Sequence, residues 1–249
     1  MAMPPETGGG WGHSNRVKNR KTIVHADDLQ YYQHVRAEIE PLLPAKATRI
    51  LEIGCGAGQT LAWLKKRYPG ATTFGIDQVS DLKDELVRNV DQVLMHDLDE
   101  PLPDIGQFDL VLALDVLEHL RWPERVLQSL ENMMDENATL IVSLPNVSHV
   151  SVSLPLLFKR QFQYADFGIL DRTHVRFFVE TSAVELLNKG NFQVVGGLLN
   201  GLNGPKSRLL DNVTFGVLRP WLARQFIMKA HRTAGRPRQD KVVWKRGAR

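Results

Sequence analysis

The chain has 249 residues, of which 43% are hydrophobic and 24% charged, with a formal net charge of +3 and a single cysteine. This is enough for one α/β domain with insertions, and one cysteine excludes an internal disulfide and fits a reducing compartment. No apolar run reaches the roughly 18 residues of a membrane span, and the first ten residues lack the charged-then-apolar pattern of a secretion signal, so a cytoplasmic location is expected.

The charge is unevenly spread. Residues Lys229 to Arg249 hold eight basic side chains and one acidic, net +7, and Met1 to Ala26 carry net +3, which leaves −7 for Asp27 to Met228. Residues 1–26 read as a flexible N-terminal segment and 232–249 as a basic, mostly unfolded C-terminal tail. Such a tail either is a plain solvated terminus or makes weak contact with an anionic membrane or another polyanion. One domain is expected between them, over residues 27–231.

Asp27 suits the cap of a helix through Tyr31, Val35, Ile39 and Leu42 that ends near Pro41 to Pro44. Arg49 to Ile53 reads as a buried strand, followed by the turn Gly54-Cys55-Gly56-Ala57-Gly58 and a helix from about Gly58 to Arg67. Thr72 to Ile76 is the second strand, with Asp77 at its end, and Leu82 to Arg88 the next helix. A third strand lies near Gln92 to Met95 and a fourth spans Phe108 to Leu114. Pro123 fits the first turn of a helix reaching about Met134, and Thr139 to Pro145 is the fifth strand. A helix from Glu180 to Asn188 leads to a sixth strand, Phe192 to Leu198, and Gln225 to His231 is the candidate for a last, antiparallel strand. Strands alternating with helices imply a parallel sheet wound on both faces. Residues of about 146–178 and 200–220 do not fit the minimal pattern and read as a lid and a second insertion.

The glycine turn carries the chemistry. Glycines at alternate positions let the chain bend sharply and bring bare backbone against a ligand. A carboxylate such as Asp77, at the end of the next strand, can accept hydrogen bonds from both hydroxyls of a ribose. Gly54, Gly56 and Gly58 give G-x-G-x-G, with Gln59 where a dinucleotide fingerprint needs Gly or Ala, and no Lys follows as a phosphate loop requires. Glu52, inside the strand before the turn, would repel a pyrophosphate but not a cationic ligand. Cys55 reads as a small residue chosen to fit the turn, with no base to make it reactive.

The run Glu52-Ile-Gly-Cys-Gly-Ala-Gly58, with Asp77 following, resembles motif I and its acidic partner in class I S-adenosylmethionine (SAM) methyltransferases. The resemblance implies an α/β fold with a doubly wound, Rossmann-like, seven-stranded and mostly parallel sheet, and a lid insertion after strand five. It implies SAM as cofactor and S-adenosylhomocysteine as product. Glu52, Gly54, Cys55, Gly56 and Gly58 would then belong to the cofactor site, with Asp77 on the ribose. Asp97 would hold the adenine amino group, with the backbone of Leu98 beside the ring, and Asp115 would touch the methionine end.

Methyl transfer to a hydroxyl needs alignment and a base. Asp115, Glu118 and His119 follow strand four at i, i+3, i+4 spacing, which puts them on one face if a helical turn begins there. His119 is one candidate base; alternatively this is a capped turn with His119 packed on Trp122. In Gly168 to Phe178, His174 is the second candidate base, and Arg172 or Arg176 could hold an anionic acceptor group; alternatively the charges around Asp171 pin the lid by salt bridges. Ser143-Leu-Pro-Asn-Val-Ser-His149 with Leu170-Asp-Arg-Thr-His-Val-Arg-Phe-Phe178 resembles bacterial polysaccharide and O-antigen methyltransferases, and its first part is similar to MetW-type methionine-biosynthesis proteins. Leu117-Glu-His-Leu120 is similar to ubiquinone-pathway O-methyltransferases. In those, and in small-RNA 2′-O-methyltransferases, two acids and a His at this spacing bind a divalent metal. Here Asp115 replaces a Glu, and His174 could add a fourth ligand in a set suited to Mg, Mn or Zn. The favoured expectation assigns no metal ligands.

The expected function is therefore SAM-dependent O-methylation of a sugar or other hydroxylated small molecule. RNA methylation guided by the basic ends is an alternative, opposed by the acidic body and by the lack of an N-P-P-Y-type motif. A non-catalytic, MetW-like partner protein is a third reading, opposed by the intact glycine turn, Asp77 and Asp97.

Overall fold

The computed structural model describes residues 34–202, 204–233 and 242–247. The N-terminal segment 1–26, the expected helix start at Asp27 and Tyr31, and residues 234–241 of the tail lie outside the described residues. Within them the chain runs through a 3-10 turn at Ala37–Leu42, then β1 (Arg49–Ile53), α1 (Gln59–Arg67), β2 (Thr72–Asp77), α2 (Lys83–Asn89), β3 (Gln92–Met95), β4 (Phe108–Leu114), α3 (Pro123–Asn132), β5 (Met134–Pro145), α4 (Val150–Leu154), α5 (Glu180–Lys189), β6 (Phe192–Asn200), α6 (Pro205–Val213), α7 (Arg219–Leu222), β7 (Gln225–Arg232) and β8 (Trp244–Arg246).

The strands lie in the order β3-β2-β1-β4-β5-β7-β6-β8. The first five pair in parallel, as short apolar runs buried on both faces should. β7 inserts between β5 and β6 and is antiparallel to both, as the sequence reading expects. One face of the sheet packs Leu127, Leu130 and Leu187 from α3 and α5 against Phe108, Leu140 and Phe226. The other packs Leu61, Leu64 and Leu86 from α1 and α2, with Ile39 of the 3-10 turn, against Ile50 and Leu112. The order of connections reverses at β1, which has β2 on one side and β4 on the other. That switch point opens a crevice beyond the carboxyl ends of the strands.

Among the described residues the sheet has eight strands where seven were expected. Trp244–Arg246, placed by its charge in an unfolded tail, pairs in parallel with β6. The reason is local. Gly197 on β6 leaves a hole that the indole fills, since a Cβ there would stand 2.4 Å from the Trp244 Cζ3. The ring lies 5.5 Å from that of Phe226 and its Nε1–H donates to Glu180 Oε1 at 2.7 Å.

Both insertions root at one point of the carboxyl edge. Asn146, wholly buried, donates from Nδ2 to the carbonyls of Pro220 and Ala223 at 2.6 and 2.7 Å, and its own N–H donates to the Arg224 carbonyl at 2.9 Å. The N–H of Val147 meets the Phe178 carbonyl, where the lid returns, at 2.9 Å. Each bond satisfies a polar group that would otherwise be buried bare, so the lid and the second insertion are clamped at their base. Among the described residues no helix is long and apolar enough to cross a membrane.

Trp244 is thus a structural residue. Trp244→Ala should lower unfolding stability by about 2 kcal/mol in a urea titration, from lost packing of a half-buried aromatic, with Trp244→Phe losing less. A midpoint unchanged by Trp244→Ala would contradict the pairing.

Candidate active site

β1 runs into a turn in which Gly54, Gly56 and Gly58 all take positive φ, at 64°, 54° and 75°. A Cβ on Gly54 would stand 2.6 Å from Val116 Cγ2, and one on Gly58 the same distance from Val90 Cγ2. Conformation and space therefore both require glycine at these two positions. The N–H groups of Gly54 and Cys55 donate to the Ile76 carbonyl, which ties the turn to β2. Cys55 is buried, and its sulfur fills the space where a Cβ on Gly75 would come within 2.8 Å. Burial pushes its thiol well above the ordinary range, so it is a packing residue. Gln59 is occupied by Glu85, to which its Nε2 donates at 2.9 Å.

Asp77 closes β2 and supports the turn. Its Oδ2 accepts from the Gly56 N–H and its Oδ1 from the Val79 N–H, both at 2.8 Å. Burial raises its pKa, and the N–H donors of Val79, Gly56 and Gln78 oppose that rise. Asp97 is exposed two residues beyond Met95, the register partner of Asp77, so the two acids share one edge of the crevice. Asp97 Oδ1 accepts from the Asp99 N–H at 2.9 Å, and Leu98 is buried behind it.

Glu52 is the most informative atom set in the crevice. It is buried, and its Oε2 has no hydrogen-bond partner. Burial pushes its carboxyl up to about 8; nearby Arg36 opposes this and Asp77 adds to it. Arg36 was not singled out in the sequence. Its guanidinium meets Glu38 Oε1 and Asp115 Oδ2, each at 2.5 Å, and reaches Gln225 Oε1 at 3.3 Å. Burial would lower its pKa, but Asp115 and Glu38 overcome that and raise it.

Asp115 therefore does not sit with Glu118 and His119 on a helical face. It takes a left-handed backbone, φ 52°, and the 3-10 turn begins only at Leu117. Its carboxylate is taken up by Arg36, by the Ser143 hydroxyl at 2.8 Å and by Gln225 Nε2 at 2.5 Å. The group that does converge is Glu118, His119 and His174, whose donor atoms lie within 4.8 Å of one another. The lid is held over it by the N–H groups of Val175 and Arg176, which donate to the Glu118 carbonyl at 3.0 and 3.1 Å. His119 packs edge-on against His174, with ring centroids 4.8 Å apart, and not on Trp122, which carries the Arg125 guanidinium. Burial, and then His174, lower the His119 pKa.

His174 is buried, with Nδ1 3.1 Å from the Ile169 carbonyl. A carbonyl only accepts, so Nδ1 is the donor in this contact, and the tautomer that makes it keeps its lone pair on Nε2. That atom lies 4.0 Å from Glu118 Oε1, while Glu118 Oε2 is buried without a partner. Burial, with Asp115 adding to it, raises Glu118 well above the ordinary carboxylate range. These groups line a cavity of about 260 Å³, completed by Asp115, Asp171, Asn200, Arg224 and Gln225.

The two lid arginines are not in this cavity. Arg172 pairs with Asp166 at 2.9 Å on the surface. Arg176 donates to the Arg121 carbonyl at 2.6 Å and lies 3.6 Å from Glu124, in a separate cleft. Both pin the lid. Arg224 is the arginine that lines the His174 cavity, and nothing in its local pattern announces it, because it arrives only through the pairing of β7 with β6. His149 caps α4 by accepting from the Ser151 N–H at 3.1 Å.

The buried Glu52 carboxyl gives a pH dependence. Its unfolded value is 4.5 and its folded value about 8. As the pH rises between these, the unfolded chain releases a proton that the folded chain retains. Stability without ligand should then fall through this window, by at most about 1.4 kcal/mol per pH unit from this group. Denaturant titrations from pH 5 to 8 should show the fall flattened in Glu52→Gln. Parallel profiles for the two proteins would contradict the burial of a protonated Glu52.

Comparison with known proteins gives the family. A family model described as a methyltransferase domain matches residues 25–196. The chain is 32% identical over 133 residues to the ubiquinone biosynthesis O-methyltransferase of Azorhizobium caulinodans, covering 50% of this chain and 51% of that protein. It is 30% identical over 107 residues to the enzyme of the same name from Pseudomonas syringae, covering 39% and 44%. The chain thus spans about half the length of the curated relatives it matches. Among solved structures, a SAM-dependent methyltransferase from Thermotoga maritima shares the fold with a TM-score of 0.54 at 19% identity, over 82% of this chain and 90% of that one. One from Mesorhizobium loti does so with a TM-score of 0.55 at 15% identity, over 78% and 95%. With the family model spanning the glycine turn, the acids of the crevice and the lid, the chain belongs to the class I SAM-dependent methyltransferase family.

Proposed function

We propose that this chain transfers the methyl group of SAM to a hydroxyl of a sugar or other hydroxylated small molecule bound in the His174 cavity. The observation that supports this reading is the contact of His174 Nδ1 with the Ile169 carbonyl in a residue that lines the cavity, which leaves Nε2 free of that carbonyl as the candidate base.

The residues of the crevice fit SAM. The partnerless Glu52 Oε2 and the bare, left-handed glycine turn suit a ligand with an ammonium group and no phosphate. Glu52 and Asp115 would hold the methionine ammonium, and Arg36 its carboxylate. Asp77 would accept from the ribose hydroxyls, and Asp97 would take the adenine amino group with Leu98 behind the ring. SAM supplies an electrophilic methyl on a sulfonium, a leaving group that needs no activation by the protein.

His174 Nε2 would take the acceptor's proton as the new bond forms, and Glu118 Oε1, 4.0 Å away, would stabilise the resulting imidazolium. His119 would hold the His174 ring in place through their edge contact. The lid, held on the Glu118 backbone by Val175 and Arg176, would limit access of water to this step.

A divalent cation is the second reading of the same cluster, favoured by the orphaned Glu118 Oε2 beside two imidazoles. Glu118, His119 and His174 would hold it, and its chemistry there would be to lower the pKa of an acceptor hydroxyl.

Release of S-adenosylhomocysteine with a panel of hydroxylated acceptors tests both. His174→Ala should lower kcat by roughly 10²–10⁴-fold with SAM affinity kept. Undiminished turnover in that variant would remove both readings. Loss of activity with a chelator, restored by Mg, Mn or Zn, would select the metal; indifference to the chelator would select the base.

A further inference from the structure

We infer that the lid and the second insertion form a docking face for an anionic lipid bilayer, beside the His174 cavity. The first observation is apolar exposure concentrated in two segments. In the lid, α4 runs into a π-helical turn, Pro155–Lys159, that leaves Leu157 and Phe158 uncovered, with Phe167 further along. In the second insertion, α6 and the loop to α7 leave Val213, Phe215 and Val217 uncovered. Phe158, Phe167 and Phe215 are 75%, 76% and 95% exposed. Isolated exposed apolar residues need no explanation, but three phenylalanines with their aliphatic neighbours in two adjacent insertions do.

The second observation is position. The insertions are clamped together at Asn146, and the cavity is lined by Gly168 and Ile169, just past Phe167, and by Asn200, Gly201 and Arg224, which bracket the second insertion. Both insertions thus leave the fold beside the cavity, and Phe167 directly precedes two of its lining residues.

Charge identifies the occupant. Residues 154–167 carry net +1 and 204–224 net +3, while Asp27 to Met228 as a whole carries −7. Lys159, Arg160, Arg208 and Arg224 are exposed within the same two segments, and the exposed Asp166 is ion-paired with Arg172. Apolar tips and cations in the same segments of an acidic body match an anionic bilayer, where the tips enter the acyl boundary and the cations meet headgroups. A second copy would present the same cations and repel, and the basic ends of the chain would do likewise. The apolar tips stand on two separate segments, and fluid hydrocarbon takes such tips without the matching surface that a protein partner would have to supply.

Cosedimentation of the full chain with sucrose-loaded phosphatidylcholine vesicles, with and without phosphatidylglycerol, tests this. The chain should bind the anionic vesicles, and Phe158→Ser with Phe215→Ser should weaken binding roughly tenfold or more at unchanged melting temperature. Leu157→Ser with Val217→Ser is a second pair in case the first misfolds. Binding that survives both pairs would mean that the basic tail alone holds the vesicle, and would overturn the docking face. No binding to either vesicle would also overturn it, as would a dimer in solution that these substitutions dissociate.

Discussion

Too many carboxyl groups share the carboxyl edge of this sheet, and the rest of the site follows from that constraint. Glu52, Asp77, Asp115 and Glu118 all sit near strand ends that a parallel sheet must place on one side. Burial raises Glu52, Asp77 and Glu118; Arg36 opposes the rise at Glu52 and backbone N–H donors oppose it at Asp77, whereas Asp115 adds to it at Glu118. Arg36 reaches across the edge and satisfies Asp115, yet Glu52 Oε2 and Glu118 Oε2 remain bare. Such a site can relax by holding protons or by taking up positive charge. A sulfonium with an ammonium answers the first orphan. A protonated imidazole or a divalent cation answers the second.

The acidic edge also explains the shape of the protein around it. Buried carboxyl groups need fixed donors, and the turn N–H groups and Arg36 supply them to Asp77 and Asp115. Asn146 joins the two insertions at their root, while Val175 and Arg176 of the lid are held on the Glu118 backbone. The charged residues farther out hold the lid closed by pairing among themselves. One short segment thus divides its side chains: His174 is buried beside Glu118, and Arg172 and Arg176 pair away from the cavity.

Much of this was legible in the sequence because it depends on short-range pattern. The glycine turn, Asp77 and Asp97 follow from strand ends and loop lengths, and the antiparallel β7 from its place after the second insertion. What was not legible depends on long-range contact. Asp115 reads as a partner of Glu118 and His119 by spacing, but Arg36, 79 positions earlier, captures it. Trp244 reads as tail by charge, but a hole at Gly197 recruits it into the sheet. Arg224 enters the cavity only because β7 pairs with β6 there. In each case tertiary contact overrode a locally sensible reading.

The central claim is that Glu52 is kept protonated until a cationic cofactor arrives. Calorimetric titration of SAM near pH 7, repeated in buffers of different ionisation enthalpy, measures this directly. One equivalent should bind with release of close to one proton, roughly the protonated fraction that a pKa one unit above the pH implies, and Glu52→Gln should abolish the release. Binding without proton release, or no binding at all, would contradict it.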